Sequence, residues 1–106
     1  MEHSLKRYLQ NKNVDSFQKI RFLLFLHQNP TLKGTVQEFC QRLYFGDNVT
    51  LGKMIAELQV ENLVDRLGKR YKLRDEPEVK LYLDGLARLF EDPLARQALL
   101  QGLPSR

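Results

Sequence analysis

The sequence predicts a mainly α-helical domain that carries one small β-hairpin. Three observations predict this class. Apolar residues recur at helical spacing in several segments, residues that favour helix caps precede those segments, and the stretch 63–75 alternates apolar with basic side chains around one glycine. A chain of 106 residues can bury a core of its own, so we expect a single domain over residues 1–106.

The first two core helices are predicted from their caps. Asp15 is expected to cap a helix that begins at Ser16, and Pro30 is expected to end it, because a residue before proline is driven away from helical torsions. This helix is apolar almost all round, which indicates a position in the middle of the core. Thr35 and Glu38 match a capping box at the start of the second helix.

A third core helix is expected from about Val49 to Val60, because its apolar residues share one face. Asn62 follows at a position where the chain often takes a left-handed conformation after a helix. Residues 15–74 are therefore predicted to form the core of the domain, with three helices followed by the hairpin.

The hairpin is predicted from the segment "LVDRLGKRYKLRD", residues 63–75. Gly68 supplies the backbone freedom that a tight reversal needs. Strand alternation puts Tyr71 and Leu73 on one face and the basic residues of the second strand on the other. We expect the cations to project together as one ridge, and the alternative is an edge ribbon kept soluble by its charges. The cations are Arg66, Lys69, Arg70, Lys72 and Arg74.

Two further segments flank this core. A helix is predicted from Glu78 to about Glu91, and Asp92 with Pro93 is predicted to begin a last short helix. Leu5, Tyr8 and Leu9 would form one or two helical turns at the other end. The apolar face of the 78–91 helix is broad, so we expect residues 1–14 and 78–101 to form a homodimer interface, with packing across the core as the alternative. The predicted interface residues are Leu5, Leu9, Tyr82, Leu86, Leu89 and Phe90.

Composition limits the classes of function. The net charge is +4, whereas residues 75–106 carry four basic and six acidic groups, so the excess of positive charge lies earlier in the chain, as suits a polyanion partner. No apolar run approaches the roughly 20 residues needed to cross a bilayer, and the first residues do not resemble a secretory signal. We therefore expect a cytoplasmic protein without membrane contact.

Catalytic and metal-binding patterns are missing from the sequence. Cys40 is the one cysteine, and the two histidines are far apart, so the chain has no metal-ligand spacing. No glycine-rich phosphate loop and no nucleophile–base pattern occurs. We expect no metal, no cofactor and no enzymatic activity.

The order of helix, helix, helix, basic hairpin and helix resembles a winged helix-turn-helix domain, and two stretches carry the resemblance further. Residues 35–64, "TVQEFCQRLYFGDNVTLGKMIAELQVENLV", are similar to the family's capped helix, turn, recognition helix and closing leucine-valine pair. Residues 65–90, "DRLGKRYKLRDEPEVKLYLDGLARLF", resemble the wing and following helix of ArsR-type bacterial and archaeal regulators.

The resemblance implies a dimeric transcriptional regulator that binds double-stranded DNA. The 49–60 helix would enter the major groove, and the hairpin would lie on the phosphate backbone as the wing. The residues expected to contact DNA are Thr50, Lys53, Arg66, Lys69, Arg70, Lys72 and Arg74.

The outward face of the 49–60 helix keeps other interpretations open. It carries one cation, Lys53, beside the carboxylate of Glu57, whereas base edges are most often read by Arg, Lys, Asn or Gln. Val49, Ala56 and Val60 on the same face suit a contact with another protein equally well. The alternatives are a winged-helix protein-interaction module and a nucleic-acid-binding domain without sequence preference.

Overall fold

The computed structural model describes residues 2–102, and it describes side chains from residue 5 onward. The expected domain over residues 1–106 therefore includes residues 1 and 103–106, which lie outside the described part. The described part is mainly helical and has one two-stranded antiparallel sheet, as predicted. Its elements are α1 (Glu2–Asn11), α2 (Phe17–Gln28), α3 (Val36–Leu43), α4 (Asn48–Val60), β1 (Val64–Leu67), β2 (Arg70–Leu73), α5 (Pro77–Phe90) and α6 (Pro93–Gln101).

The predicted capping box of α3 is confirmed. The Thr35 hydroxyl accepts a hydrogen bond from the Glu38 backbone N–H at 3.2 Å, and the Glu38 carboxylate accepts one from the Thr35 N–H at 2.8 Å. The left-handed residue after α4 is also confirmed, because Asn62 has a φ of 61°. Both features satisfy backbone groups that a helix end leaves without partners.

Asp15, the residue predicted to cap α2, lies one residue before the observed N-cap. Ser16 is the N-cap, in an extended conformation, and its hydroxyl accepts from the Lys19 backbone N–H. Asp15 lies just outside the helix and instead forms an ion pair with the Lys19 ammonium at 3.1 Å. The Ser16 hydroxyl thus caps the backbone of α2, whereas the Asp15 carboxylate pairs with the side chain of Lys19.

The hairpin has a two-residue turn at Gly68 and Lys69. Gly68 has a φ of +65°, a conformation that costs little without a Cβ. The other edge of β2 pairs with the loop before α3, where Gly34 and Tyr71 exchange two backbone hydrogen bonds of 3.1 and 2.8 Å. This bridge fixes the hairpin to the α2–α3 connection.

The core forms one cluster that is centred on α2. Phe22 of α2 is fully buried and meets the Phe39 ring of α3 edge to face, with ring centroids 5.2 Å apart. The predicted position of this helix in the middle of the core holds for one face only, because Phe17 and Gln28 are exposed and Leu24 is only partly buried on another face. α5 packs along α2 through its buried stripe of Val79, Leu83 and Leu86.

α1 is longer than the one or two turns expected from the sequence. It covers ten residues, and Leu5, Tyr8 and Leu9 are all buried in the shared core. The Tyr8 ring stacks on the Tyr82 ring of α5 with centroids 3.9 Å apart. Burial raises the pKa of Tyr8 to about 12.

Within residues 2–102, no helix combines the length and the apolar character that a bilayer crossing requires.

Candidate nucleic-acid interface

The hairpin projects from the end of α4. Leu63 and Val64 are buried, and the Leu63 N–H donates to the Leu58 carbonyl of α4 at 3.0 Å. Leu73 is the buried partner of Val64 on the second strand. Residues 66–70 are all exposed, so the hairpin has a buried base and a solvated tip.

The cations of the hairpin lie on both of its faces. Arg66 pairs with Tyr71 across the strands, and directly opposite residues share a face, so Arg66 lies on the same face as Tyr71. Arg70 and Lys72 lie on the other face, as the alternation of β2 predicts. The expectation of one continuous ridge is therefore wrong for Arg66, because the two-residue turn sets its register.

Arg70 and Arg74, two of the predicted DNA contacts, are engaged within the chain. Arg70 forms an ion pair with Glu38 at 3.0 Å and donates to the Lys33 carbonyl at 3.3 Å. Arg74 forms an ion pair with Asp65 at 3.1 Å and a second, shorter one with Glu76. The hydrogen bond with the Glu76 carboxylate raises the pKa of Arg74, as does the charge of Asp65. These contacts compensate both arginines before any partner arrives.

The other three cations of the hairpin have no carboxylate partner among the side chains that the structure describes. Lys69 is exposed in the turn, Lys72 is partly exposed on β2, and Arg66 is exposed on β1. The Arg66 Nε donates to the Gly68 carbonyl at 2.8 Å, which holds its side chain against the turn. We call Arg66, Lys69 and Lys72 the unpaired cations. Two of them, Arg66 and Lys69, lie at the tip, and Lys72 lies further along β2.

The first turn of α4 is fixed by an acidic cap. Asp47 accepts hydrogen bonds from the Thr50 backbone N–H at 2.7 Å and from the Thr50 hydroxyl at 3.0 Å. The backbone hydrogen bond is the main cause that lowers the pKa of Asp47. The predicted DNA contact Thr50 thus has its hydroxyl proton committed to Asp47, so only its oxygen lone pairs face solvent.

Lys53 and two exposed valines dominate the outward face of α4. Lys53 is exposed and has no hydrogen-bond or ion-pair partner among the described residues. Val49 and Val60 are 69% and 77% exposed, which is unusual for valines on a packed helix. The face therefore offers one free cation between apolar side chains.

Glu57 on this face is compensated by a lysine that sequence reasoning missed. The Lys19 ammonium of α2 lies 2.7 Å from the Glu57 carboxylate, and it also donates to the Asn13 carbonyl at 2.8 Å. Lys19 is only 5% exposed and is the one buried charged residue in the described part of the chain. Because the residues that follow Lys19 in α2 are mostly apolar, no local pattern predicted its ion pair with Glu57. Lys19 thus offsets part of the negative charge on this face, because its ammonium is shared between Glu57 and Asp15.

The end of α4 is held by the α1–α2 connection. The Lys12 ammonium donates to the Glu61 carbonyl at 3.1 Å, and the Asn13 amide donates to the Glu61 carboxylate. Asn13 has a positive φ of 56°, which brings its side chain and its carbonyl toward two different partners. α4 is therefore fixed at both ends, by Asp47 and by this connection.

The residues predicted to form a dimer interface are divided between the interior and the surface. Leu5, Leu9 and Leu86 are 5%, 2% and 0% exposed in one chain, so they have no free surface for a second copy. Tyr82 and Leu89 are partly exposed. Phe90 is also partly exposed, and it continues the buried stripe of α5 at its last turn.

The structure gives no metal-binding cluster within its described residues. No group of three or more His, Cys, Asp or Glu side chains is close enough there to hold a metal ion. Cys40 is buried on α3, and its thiol lies 3.9 Å from the Phe45 carbonyl. Cys40 therefore packs as a small buried residue whose thiol contacts a backbone carbonyl.

Comparison with known proteins gives no match: no protein-family model fits the chain, and no curated protein or solved structure is similar to it. The resemblance to ArsR-type regulators therefore stays a prediction from the sequence pattern.

Proposed function

We propose that this chain is a winged helix-turn-helix regulator of transcription that binds double-stranded DNA in the cytoplasm. In this proposal α4 enters the major groove and the hairpin lies along the phosphate backbone. The order α2, the Gly34 bridge, α3, α4 and the hairpin supports the winged-helix class. The sharp α3–α4 connection supports it too, since Tyr44 ends α3 in a left-handed conformation.

The observation that carries the proposal is the cluster of unpaired cations on the hairpin. Arg66, Lys69 and Lys72 have no carboxylate partner in the described part of the chain, whereas the two other hairpin cations do. A phosphate backbone would supply the missing negative charge, and the release of its counterions would favour binding. Because the tip is thin, cations on its two faces can approach phosphates on either side of a groove.

α4 would add contacts in the major groove. Its 13 residues give a helix roughly 20 Å long, with an outward face free to enter a groove about 12 Å wide. Lys53 is the residue we propose for a base or phosphate contact. Val49 and Ala56 would touch thymine methyl groups. The ion pair with Lys19, which Glu57 shares with Asp15, reduces the repulsion that the charge of Glu57 would cause.

We further propose a homodimer that presents two such faces to one duplex. Three of the six expected interface residues are buried inside one chain. We therefore restrict the proposed interface to the exposed side of α5. Leu81 is 66% exposed there, and Tyr82 and Leu89 are partly exposed beside it. A two-fold pair would space the α4 helices about one helical turn of DNA apart.

Selection from a pool of random duplexes, followed by salt titration of the recovered sequences, tests the proposal. We expect a palindromic site whose affinity falls steeply as salt is raised. Recovery of a non-palindromic mixture with the same salt dependence would support nucleic-acid binding without sequence preference. Absence of duplex binding at low salt would contradict the proposal.

The exposed apolar residues around α4 favour a second candidate, a protein-interaction module. Val49 and Val60 are 69% and 77% exposed on one face of α4, and Tyr44 in the α3–α4 connection is 89% exposed. This module would bind its partner in a complex that is insensitive to salt and that Val60→Asp disrupts. A partner complex that survives Val60→Asp but dissociates in moderate salt would exclude this candidate.

A further inference from the structure

A groove with a volume of about 440 Å³ lies on elements that the proposed DNA contact does not use. One of its walls is a single stripe of α2. Phe17, Arg21, Leu24 and Gln28 follow one another at spacings of four, three and four residues, so their side chains share one side of the helix. The stripe covers eleven residue steps, which is roughly 16 Å of helix.

The opposite wall comes from the end of α5 and from α6. Phe90, Arg96 and Leu100 line it. α6 is unusual in the described chain because it has no buried residue at all, and its Leu94 is 79% exposed on the side away from the groove lining. On the α2 side, Phe17 is 50% exposed. Leu24, Phe90 and Leu100 of the groove lining are partly exposed as well, so large apolar side chains remain in contact with water along the groove.

The charge of the groove is positive along its length. Arg21 and Arg96 line it, and no acidic side chain is present among its described lining residues. Arg21 uses one of its N–H groups on the Leu43 carbonyl and stacks on Phe45 at 5.2 Å, which leaves other donors of its guanidinium free. Arg96 has no ion-pair partner within residues 5–102. A ligand would therefore meet two cations that alternate with apolar positions.

We propose that this groove binds an acidic amphipathic segment of a partner protein. Aromatic and leucine side chains of the segment would contact Phe17, Leu24 and Phe90, and its carboxylates would pair with Arg21 and Arg96. Binding of an amphipathic helix in an apolar groove is a common recognition mode, and the length of the α2 stripe matches about three turns of such a helix. This inference is independent of the proposed DNA contact.

Two other occupants fit the groove less well. A second copy of this chain carries a net charge of +4, so charge complementarity with a basic groove favours it less than an acidic segment. A small anion would pair with one arginine but would leave the apolar side chains beside it exposed. An acidic amphipathic segment satisfies the cations and the apolar residues together.

The test uses two fluorescein-labelled helical peptides of about 12 residues, a length that matches the groove. Both carry Leu and Phe on one face; one has Glu on the other face, and its partner peptide has Lys there. We expect the full chain to bind the Glu peptide in fluorescence anisotropy and to bind the Lys peptide at least about tenfold more weakly.

Two groove variants locate the binding site. Phe17→Ala removes a half-exposed anchor, and Arg96→Glu reverses an exposed charge, so neither disturbs the core. Each variant is expected to bind the Glu peptide at least about tenfold more weakly, because each substitution removes an anchor contact of the peptide. Arg96→Glu is also expected to strengthen binding of the Lys peptide. Leu94→Glu, an exposed position of α6 outside the groove lining, is the matched control and is expected to leave the affinity unchanged.

Four results would overturn the inference. The first is equal binding of the Glu and Lys peptides, which would show that charge does not select the occupant. The second is the absence of binding by either peptide. The third is a homodimer, seen in sedimentation, that Phe17→Ala dissociates, because a second copy would then occupy the groove. The fourth is loss of duplex binding in Phe17→Ala, because nucleic acid would then be the occupant.

Discussion

The hairpin and the outward face of α4 differ in how the chain treats their charges. On the hairpin, Arg70 and Arg74 form ion pairs with carboxylates of α3, of β1 and of the segment before α5, whereas the unpaired cations have no carboxylate partner among the described residues. On α4, the one carboxylate is compensated by a buried lysine, and apolar side chains are left exposed. The hairpin thus presents uncompensated positive charge to solvent, whereas the outward face of α4 presents mainly apolar side chains.

This difference assigns separate tasks to the two regions in the proposed complex. Long-range attraction and most of the salt dependence would come from the hairpin. Discrimination between sequences would come from α4, through Lys53 and contacts with thymine methyl groups. Variants that alter one region and spare the other can therefore separate affinity from specificity.

The largest effect is expected from charge reversal of Lys69 and Lys72. We expect the double variant Lys69→Glu, Lys72→Glu to bind duplex DNA at least about 100-fold more weakly at low salt, because two attractive phosphate contacts become repulsive. Both positions are solvent-accessible, so circular dichroism and thermal unfolding should match the wild type. The double variant Lys80→Glu, Arg88→Glu changes the net charge equally on α5 and serves as the control. Equal losses in both variants would show that net charge alone drives binding.

A large effect on stability is expected from Lys19→Met. The substitution leaves the Asn13 carbonyl without its donor and removes the cation that Glu57 and Asp15 share, so the free energy of unfolding should fall by about 2 kcal/mol. Urea unfolding measures this loss, and Gln18→Met, at an exposed neighbouring position, is the control. The freed Glu57 charge should also weaken duplex binding several-fold. Unchanged stability in Lys19→Met would mean that the buried ammonium is dispensable.

A moderate effect is expected from Lys53→Ala on α4. Loss of one phosphate or base contact should weaken binding of the selected duplex about fivefold. The slope of the logarithm of affinity against the logarithm of salt concentration should fall by roughly one. Gln59→Ala, at an exposed position of the same helix, should have no effect. An affinity that does not change in Lys53→Ala would favour the protein-interaction module for this face.

The smallest effect is expected from the acidic caps at low pH. Hydrogen bonds from backbone N–H groups lower the pKa of Glu38 in α3 and of Asp47 in α4. A carboxyl whose folded pKa is lowered stabilises the fold above its unfolded pKa, and this contribution is lost as the pH falls through the folded pKa. Stability measured by thermal unfolding should therefore decline below about pH 4.5, and the decline should be smaller in Glu38→Gln and in Asp47→Asn. An unchanged pH profile in both variants would exclude the caps as its cause.

Local features of this fold could be predicted from the sequence because they depend on neighbouring residues. The Thr35–Glu38 capping box, the turn at Gly68 and the left-handed Asn62 each need only a few adjacent residues, and all three are present. Ser16 and Asp15 were harder to separate, because both side chains can cap a helix and they lie one residue apart.

The charge pattern of the candidate interface could be predicted only in part, because ion pairs join distant parts of the chain. Arg70 meets Glu38, which is 32 residues away, and Lys19 meets Glu57 from another helix. No local pattern signals such pairs. The position of Arg66 opposite Tyr71, in contrast, follows from a two-residue turn, so extending strand alternation across the turn could have predicted it.

The salt dependence of duplex binding tests the central claim most directly. The claim is that the unpaired cations of the hairpin contact phosphates. In a plot of the logarithm of affinity against the logarithm of salt concentration, replacement of Lys69 and Lys72 by Gln should reduce the slope by about two per chain. A slope that is the same in the wild type and in this double variant would contradict the claim, because the hairpin would then release no counterions.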